Sequence, residues 1–384
     1  MRTTRTFLMS ALMIGGVAAG GCGEPEGDAG AVTTDDAETT RAPLLGAPGA
    51  FYTVAPAWAF CGSTSLVDCH GGYSFNSRGA KPTFLKRAVG LYRLMFENQP
   101  ANGNVQLAAS SSNAHCGLAA QFPSGTGVGL DIACRAPSSG APVDSQFMVS
   151  YYRDTNVGGS LGGYANVSAV APFTTSNTWN SSGGPIGVQS LGLGRYRVTF
   201  SGQQPGGDNA QVTALTSGPA YCTLAANGWS GGVVDVTCFN SLGQAASVPF
   251  SVSYGHNVRG EPRNALPAGT QGALVVVNSP GGVDPNRSRN SCSVGGNSAV
   301  FQQQPSGLTY VETYHAVTAT QGEVPLMSLV SGMSGSGAYC NLSHFPIQGV
   351  RSDSTGLVRC FGPGGTETSA THSSMFIIQD HSGC

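Results

Sequence analysis

Two cysteine-bearing segments recur three times along the chain, and their spacing constrains the fold more than any other feature. Ala114-His115-Cys116-Gly117-Leu118-Ala119 precedes Leu130-Asp131-Ile132-Ala133-Cys134. Ala220-Tyr221-Cys222-Thr223-Leu224-Ala225 precedes Val234-Asp235-Val236-Thr237-Cys238-Phe239. Ala338-Tyr339-Cys340-Asn341-Leu342-Ser343 precedes Leu357-Val358-Arg359-Cys360-Phe361. Each pair places 17, 15 and 19 residues between two cysteines. A disulfide is expected within each repeat: Cys116–Cys134, Cys222–Cys238 and Cys340–Cys360.

The segments around these pairs recur as well. In Gly194-Arg195-Tyr196-Arg197-Val198-Thr199-Phe200, Tyr196, Val198 and Phe200 share one face and Arg195, Arg197 and Thr199 the other. That is the period of a half-buried strand. Gly90-Leu91-Tyr92-Arg93-Leu94-Met95-Phe96 matches it. Leu308-Thr309-Tyr310-Val311-Glu312-Thr313-Tyr314 matches poorly and puts Glu312 inward unless the register shifts. The next strand reads Gly103-Asn104-Val105-Gln106, Asp208-Asn209-Ala210-Gln211 and, by the same spacing, Gly322-Glu323-Val324-Pro325. Pro325 cannot donate to a ladder, which marks that copy as an edge or a bulge. The repeats close on Phe147-Met148-Val149, Phe250-Ser251-Val252 and Phe376-Ile377-Ile378.

Seven or eight short strands per repeat, with 56 glycines to turn them and no helical period, predict an all-β fold. The expected organisation is a signal peptide (1–21), a disordered tether (22–48) and three tandem antiparallel β-sandwich-like domains at 49–154, 162–257 and 271–384. A chain only 10% charged but 40% hydrophobic is no candidate for wholesale disorder. Of 18 Lys+Arg and 20 Asp+Glu, three and six lie before residue 42, leaving a body of 15 and 14. So even a balance offers no basic face for nucleic acid and no polybasic membrane patch.

Arg2 and Arg5 precede a short apolar run from Phe7 to Ala19, the pattern of an export signal. Ala19-Gly20-Gly21-Cys22 resembles a bacterial lipobox, which implies lipidation of Cys22 and a membrane contact through the anchor alone. Ala19 departs from the branched apolar residue usual at its place, so cleavage near Ala19 or Gly20 is the alternative. Eleven cysteines are an odd count for an exported chain; setting Cys22 aside leaves ten, all pairable, with Cys61–Cys69 and Cys292–Cys384 as the remaining pairs. Taken together, the repeated strands and cysteines resemble tandem β-repeat surface or secreted proteins of bacteria. The resemblance implies a fold and an exported location at the outer membrane, the cell surface or outside the cell. It brings no catalytic residue.

Candidate chemistry is thin. Gly158-Gly159-Ser160-Leu161-Gly162 matches a nucleophile elbow, but a strand follows where that motif needs a helix. None of the seven histidines forms a zincin-type pair. His115 stands where Tyr221 and Tyr339 stand, which suggests a packing site. Asp284 to Asn290 alternates oxygen donors but lacks the Gly and the Glu of a calcium loop, and reads as a polar hairpin. Asp131 and Asp235 recur in register, one per repeat, and suit a cross-strand pair better than a glycosidase pair. No cofactor is expected. Trp58, Trp179 and Trp229, with Phe122 and Phe345 near the Trp229 place, offer rings that could stack on sugars; packing is the better account of recurrent aromatics. The reading is a non-catalytic exported lipoprotein, structural or interacting with a surface protein. The alternatives are a glycan or surface-polymer binding module and, behind it, a secreted hydrolase.

Overall fold

The computed structural model describes residues 50–53, 75–76, 82–110, 113–152, 162–203, 209–255, 270–278, 282–283, 289–290, 299–303, 309–315, 326–344 and 353–379. These residues are all-β. Cys22, Cys61, Cys69, Cys292, Cys384, Trp58, Ser160, Glu323, Pro325 and Phe345 lie outside them.

The first repeat supplies β1 (Ala50–Thr53), β2 (Phe75–Asn76), β3 (Thr83–Ala88), β4 (Leu91–Phe96), β5 (Asn104–Ser110), β6 (His115–Ser124), β7 (Gly127–Arg135) and β8 (Gln146–Tyr152). The second supplies β9 (Gly162–Val167), β10 (Thr175–Asn180), β11 (Ile186–Gly192), β12 (Arg195–Phe200), β13 (Asn209–Ala214), β14 (Ala220–Ser230), β15 (Val233–Asn240) and β16 (Phe250–Gly255). The third supplies β17 (Thr270–Asn278), β18 (Gly282–Val283), β19 (Arg289–Asn290), β20 (Ala299–Gln303), β21 (Thr309–His315), β22 (Leu326–Met333), β23 (Tyr339–His344), β24 (Asp353–Phe361) and β25 (Thr371–Gln379).

Each repeat lays down two antiparallel layers with the same pairing. One is β2-β1-β8-β5, matched by β10-β9-β16-β13 and by β19-β17-β25-β22. The other is β3-β4-β7-β6, matched by β11-β12-β15-β14 and β20-β21-β24-β23. The period-two reading of β12 holds: Tyr196, Val198 and Phe200 are fully buried, and Arg195 and Arg197 are exposed. Tyr92, Leu94 and Phe96 do the same in β4. Between the layers the aromatic pairs repeat as well, Tyr92 with Phe147 at 5.1 Å and Tyr196 with Phe250 at 5.2 Å between ring centroids.

The turn before each of these strands needs glycine. Gly90 and Gly194 sit at φ 65° and 67°, and a Cβ there would meet the carbonyl oxygens of Cys134 and Cys238 at 2.5 and 2.7 Å. Their own carbonyls accept the amides of Cys134 and Cys238, each at a cysteine of the disulfide. The disulfides Cys116–Cys134, Cys222–Cys238 and Cys340–Cys360 are all formed, each between directly opposed residues. Closing a loop of 16 residues is worth about 3 kcal/mol in the chain-entropy model. Replacing Cys222 and Cys238 by Ala is expected to cost about that much, read as a fall in the denaturant midpoint. Neither thiol should alkylate in the native parent protein without reductant.

In the third repeat the register corrects the alignment of two strands. Ser331 lies opposite Ser373, as Thr213 lies opposite Ser251 and Ala108 opposite Met148. Asn104 and Asn209 therefore correspond to Met327, not to Glu323, and Phe147 and Phe250 correspond to His372, not to Phe376. Both strands sit four residues from where their apolar pattern suggested. The other strand keeps its register: Tyr310 pairs with Val358 as Tyr196 pairs with Val236, so Glu312 stands at the register position of Val198.

The sheets do not stop at the repeat boundaries. Ser110 at the end of β5 runs parallel to β23 opposite Leu342, and Met333 at the end of β22 runs parallel to β14 opposite Leu224. β13 lies against β6, and Leu215 beyond its end packs into the first repeat's core. Met333 likewise enters the core of the second. The first repeat thus meets the second, the second the third, and the third the first. Residues 42–384 form one compact unit, a closed ring of three sandwiches about a pseudo-threefold axis.

Candidate functional site at the junction of the repeats

The axis gathers equivalent residues from all three repeats. His115, Tyr221 and Tyr339 each stand one residue before a cystine half and are buried. The His115 ring stacks on Tyr221 at 4.1 Å and 4° between planes, and meets Tyr339 at 3.9 Å. A cavity of about 50 Å³ lies beside them, lined also by Thr213, Ser331 and Asn341.

The tyrosines do more than pack. Tyr221 donates its hydroxyl to the carbonyl of Gly337 in the third repeat, and Tyr339 donates to the carbonyl of Asn113 in the first, each at 2.7 Å. Burial pushes both hydroxyls' pKa values up, with the nearby Tyr221 adding to the rise at Tyr339. Next to each, a polar side chain repeats the crossing: Thr223 donates to Ser334 O and Asn341 donates to Ala114 O. Phe239 and Phe361 stack behind the tyrosines at 5.4 and 5.5 Å.

The first repeat breaks this pattern at three positions. His115 replaces the tyrosine, Gly117 the Thr or Asn, and Arg135 the phenylalanine. A Cβ at Gly117 would meet the Thr216 carbonyl oxygen at 2.9 Å, so the backbones approach where the others interpose a side chain. Arg135 carries the crossing hydrogen bonds, donating from Nε and Nη2 to Ser217 O at 3.0 and 2.6 Å. His115 Nε2 is buried with no partner among the described residues, and burial pushes the imidazole down to about 3. The group is therefore neutral at pH 7.

A second buried network joins the repeats below the aromatic ring. Asn104 Nδ2 donates to Ser251 Oγ at 2.6 Å, and Thr213 Oγ1 donates to Gln106 Oε1 at 3.1 Å. One repeat further on, Asn209 Nδ2 donates to Ser373 Oγ at 2.7 Å and Ser331 Oγ donates to Gln211 Oε1 at 2.8 Å. The sequence marks these Asn and Gln residues only as repeated positions of a strand. A neighbouring repeat covers that face, and nothing local in the sequence announces it.

The other candidates resolve into structure. Asp131 takes Arg93 in a two-point pair at 2.7 and 2.8 Å, and Asp235 takes Arg197 at the same distances. The third repeat swaps both partners at once, for Val311 opposite Leu357. Trp229 is 2% exposed in the second repeat's core, which removes it as a stacking platform. Phe122 is not its equivalent: Trp229 pairs with Val234, whereas Phe122 pairs with Gly129 on the outer face beneath the Arg93 guanidinium. Trp179 stacks on Tyr164. The sulfurs of Cys340 and Cys360 and a ring nitrogen of His372 lie within 4.8 Å of one another. Those sulfurs are bonded to each other, and a cystine is not the thiolate pair that a metal requires. No protein-family model, curated protein or solved structure matches the chain.

Proposed function

We propose that the protein is a non-catalytic exported lipoprotein that serves as a structural or interaction module at the bacterial cell surface, held to the membrane by lipid on Cys22. The observation that carries the non-catalytic part is how the recurring polar residues are used. Asp131 and Asp235 are tied to Arg93 and Arg197, and Asn104, Gln106, Asn209 and Gln211 are spent on contacts between repeats. His115 is neutral and buried, and the sulfurs beside His372 are locked in a cystine. A hydrolase needs a nucleophile and a base within reach of one another and of substrate. The glycan reading has lost Trp229 to the core.

Mass spectrometry of the mature N-terminus tests the anchor. A diacylated Cys22 as first residue, and release of the protein from the membrane fraction by Cys22→Ser, are expected. A mature chain starting at Gly20 or Gly21 with a free Cys22 thiol overturns it.

A further inference from the structure

The three seams of the ring are not chemically alike. Where the first repeat meets the second, Asn104 and Gln106 face Ser251 and Thr213. Where the second meets the third, Asn209 and Gln211 face Ser373 and Ser331. At the third seam β22 lies against β8 and β5. The Asn and Gln positions there belong to Met327 and Leu329, and the Ser and Thr positions to Met148 and Ala108, by the same strand registers. Both sides have changed together, from polar to apolar. Met148 and Ala108 are buried.

Chain connectivity gives the change a purpose. Residues 153–161 lead the first repeat into the second and 256–269 lead the second into the third. The third seam alone joins repeats that are not consecutive. Each seam is heterologous, one face of a sandwich on a different face of the next. Such an interface extends without limit unless rotation closes it. If all three seams were alike, the third repeat's 327/329 face would fit the Ser–Thr face of a repeat in a second copy of the chain as well as its own first repeat.

We infer that the seams carry a matching code. The polar pairing joins neighbours in sequence, and the apolar pairing of positions 327 and 329 with 148 and 108 directs the third repeat back onto the first of the same chain. A mismatch buries Asn or Gln against Met and Ala, leaving polar groups without partners.

The test uses the full chain. Met148→Ser with Ala108→Thr gives the first repeat the Ser–Thr face of the second while the third repeat stays apolar. This half-swapped chain is expected to lose denaturant midpoint, to associate beyond the mass of one chain by light scattering, or both. Adding Met327→Asn and Leu329→Gln rebuilds a polar seam, and recovery of whatever was lost is expected. The code is overturned if the half-swapped chain matches the parent in midpoint and mass. It is equally overturned if the four-fold variant recovers nothing, including the case in which neither variant folds.

Discussion

Acidifying the protein from pH 6.5 to pH 3 is expected to remove on the order of 4 kcal/mol of stability through His115 alone. The folded-state pKa is depressed to about 3 against 6.5 for the free side chain. Between those values the unfolded chain binds a proton that the folded ring refuses. Stability is therefore full above pH 6.5 and falls as the pH drops toward 3. The cost of the proton comes from burial: Tyr221 stacks on the imidazole, Tyr339 meets it at a tilt, neither brings a carboxylate, and the cationic Arg135 lies opposite on β7. Urea midpoints across this range measure the slope. The comparison is with His115→Tyr, which restores the residue of the other two repeats. That variant should flatten most of the slope; a variant as acid-sensitive as the parent would remove His115 as the cause.

Trp229→Ala is expected to cost about 3–5 kcal/mol, the usual loss for deleting a large aromatic from a packed core. Trp229 packs within the second repeat's cluster, which the third repeat's Met333 also enters, so the loss should weaken the ring as a whole. Phe122→Ala removes only a half-buried ring beneath Arg93 and should cost about 1 kcal/mol or less. The two variants, compared by chemical denaturation, separate packing from surface. Parental stability in Trp229→Ala would mean that the side chain is not enclosed.

Strand type, cystine pairing and the in–out assignment of β4 and β12 were legible because each is local: alternation over six residues, or two cysteines in opposed strands. The four-residue slips in the third repeat show where that signal ends. A shift by an even number keeps every side chain on its own face, so period two is blind to it. Phe376 imitates Phe147 well enough to attract the alignment, whereas the true equivalent is a histidine. The axial site was half legible. The His–Tyr–Tyr exchange marked a shared position, but that the three rings touch depends on how whole sandwiches pack. The roles of Asn104 and Gln106 were not legible for a related reason, since a face covered by another repeat carries the same alternation as one covered by water.

The circular arrangement has a consequence for chain length. β5 ends a layer of the first sandwich and β14 one of the second, and among the described residues each free edge pairs with a strand of the third, β23 and β22. A polypeptide stopped after the second sandwich would bare both margins together, each a template for a further strand. Two units are thus a fibre seed, while three are a finished object: the architecture tolerates no partial copy of itself.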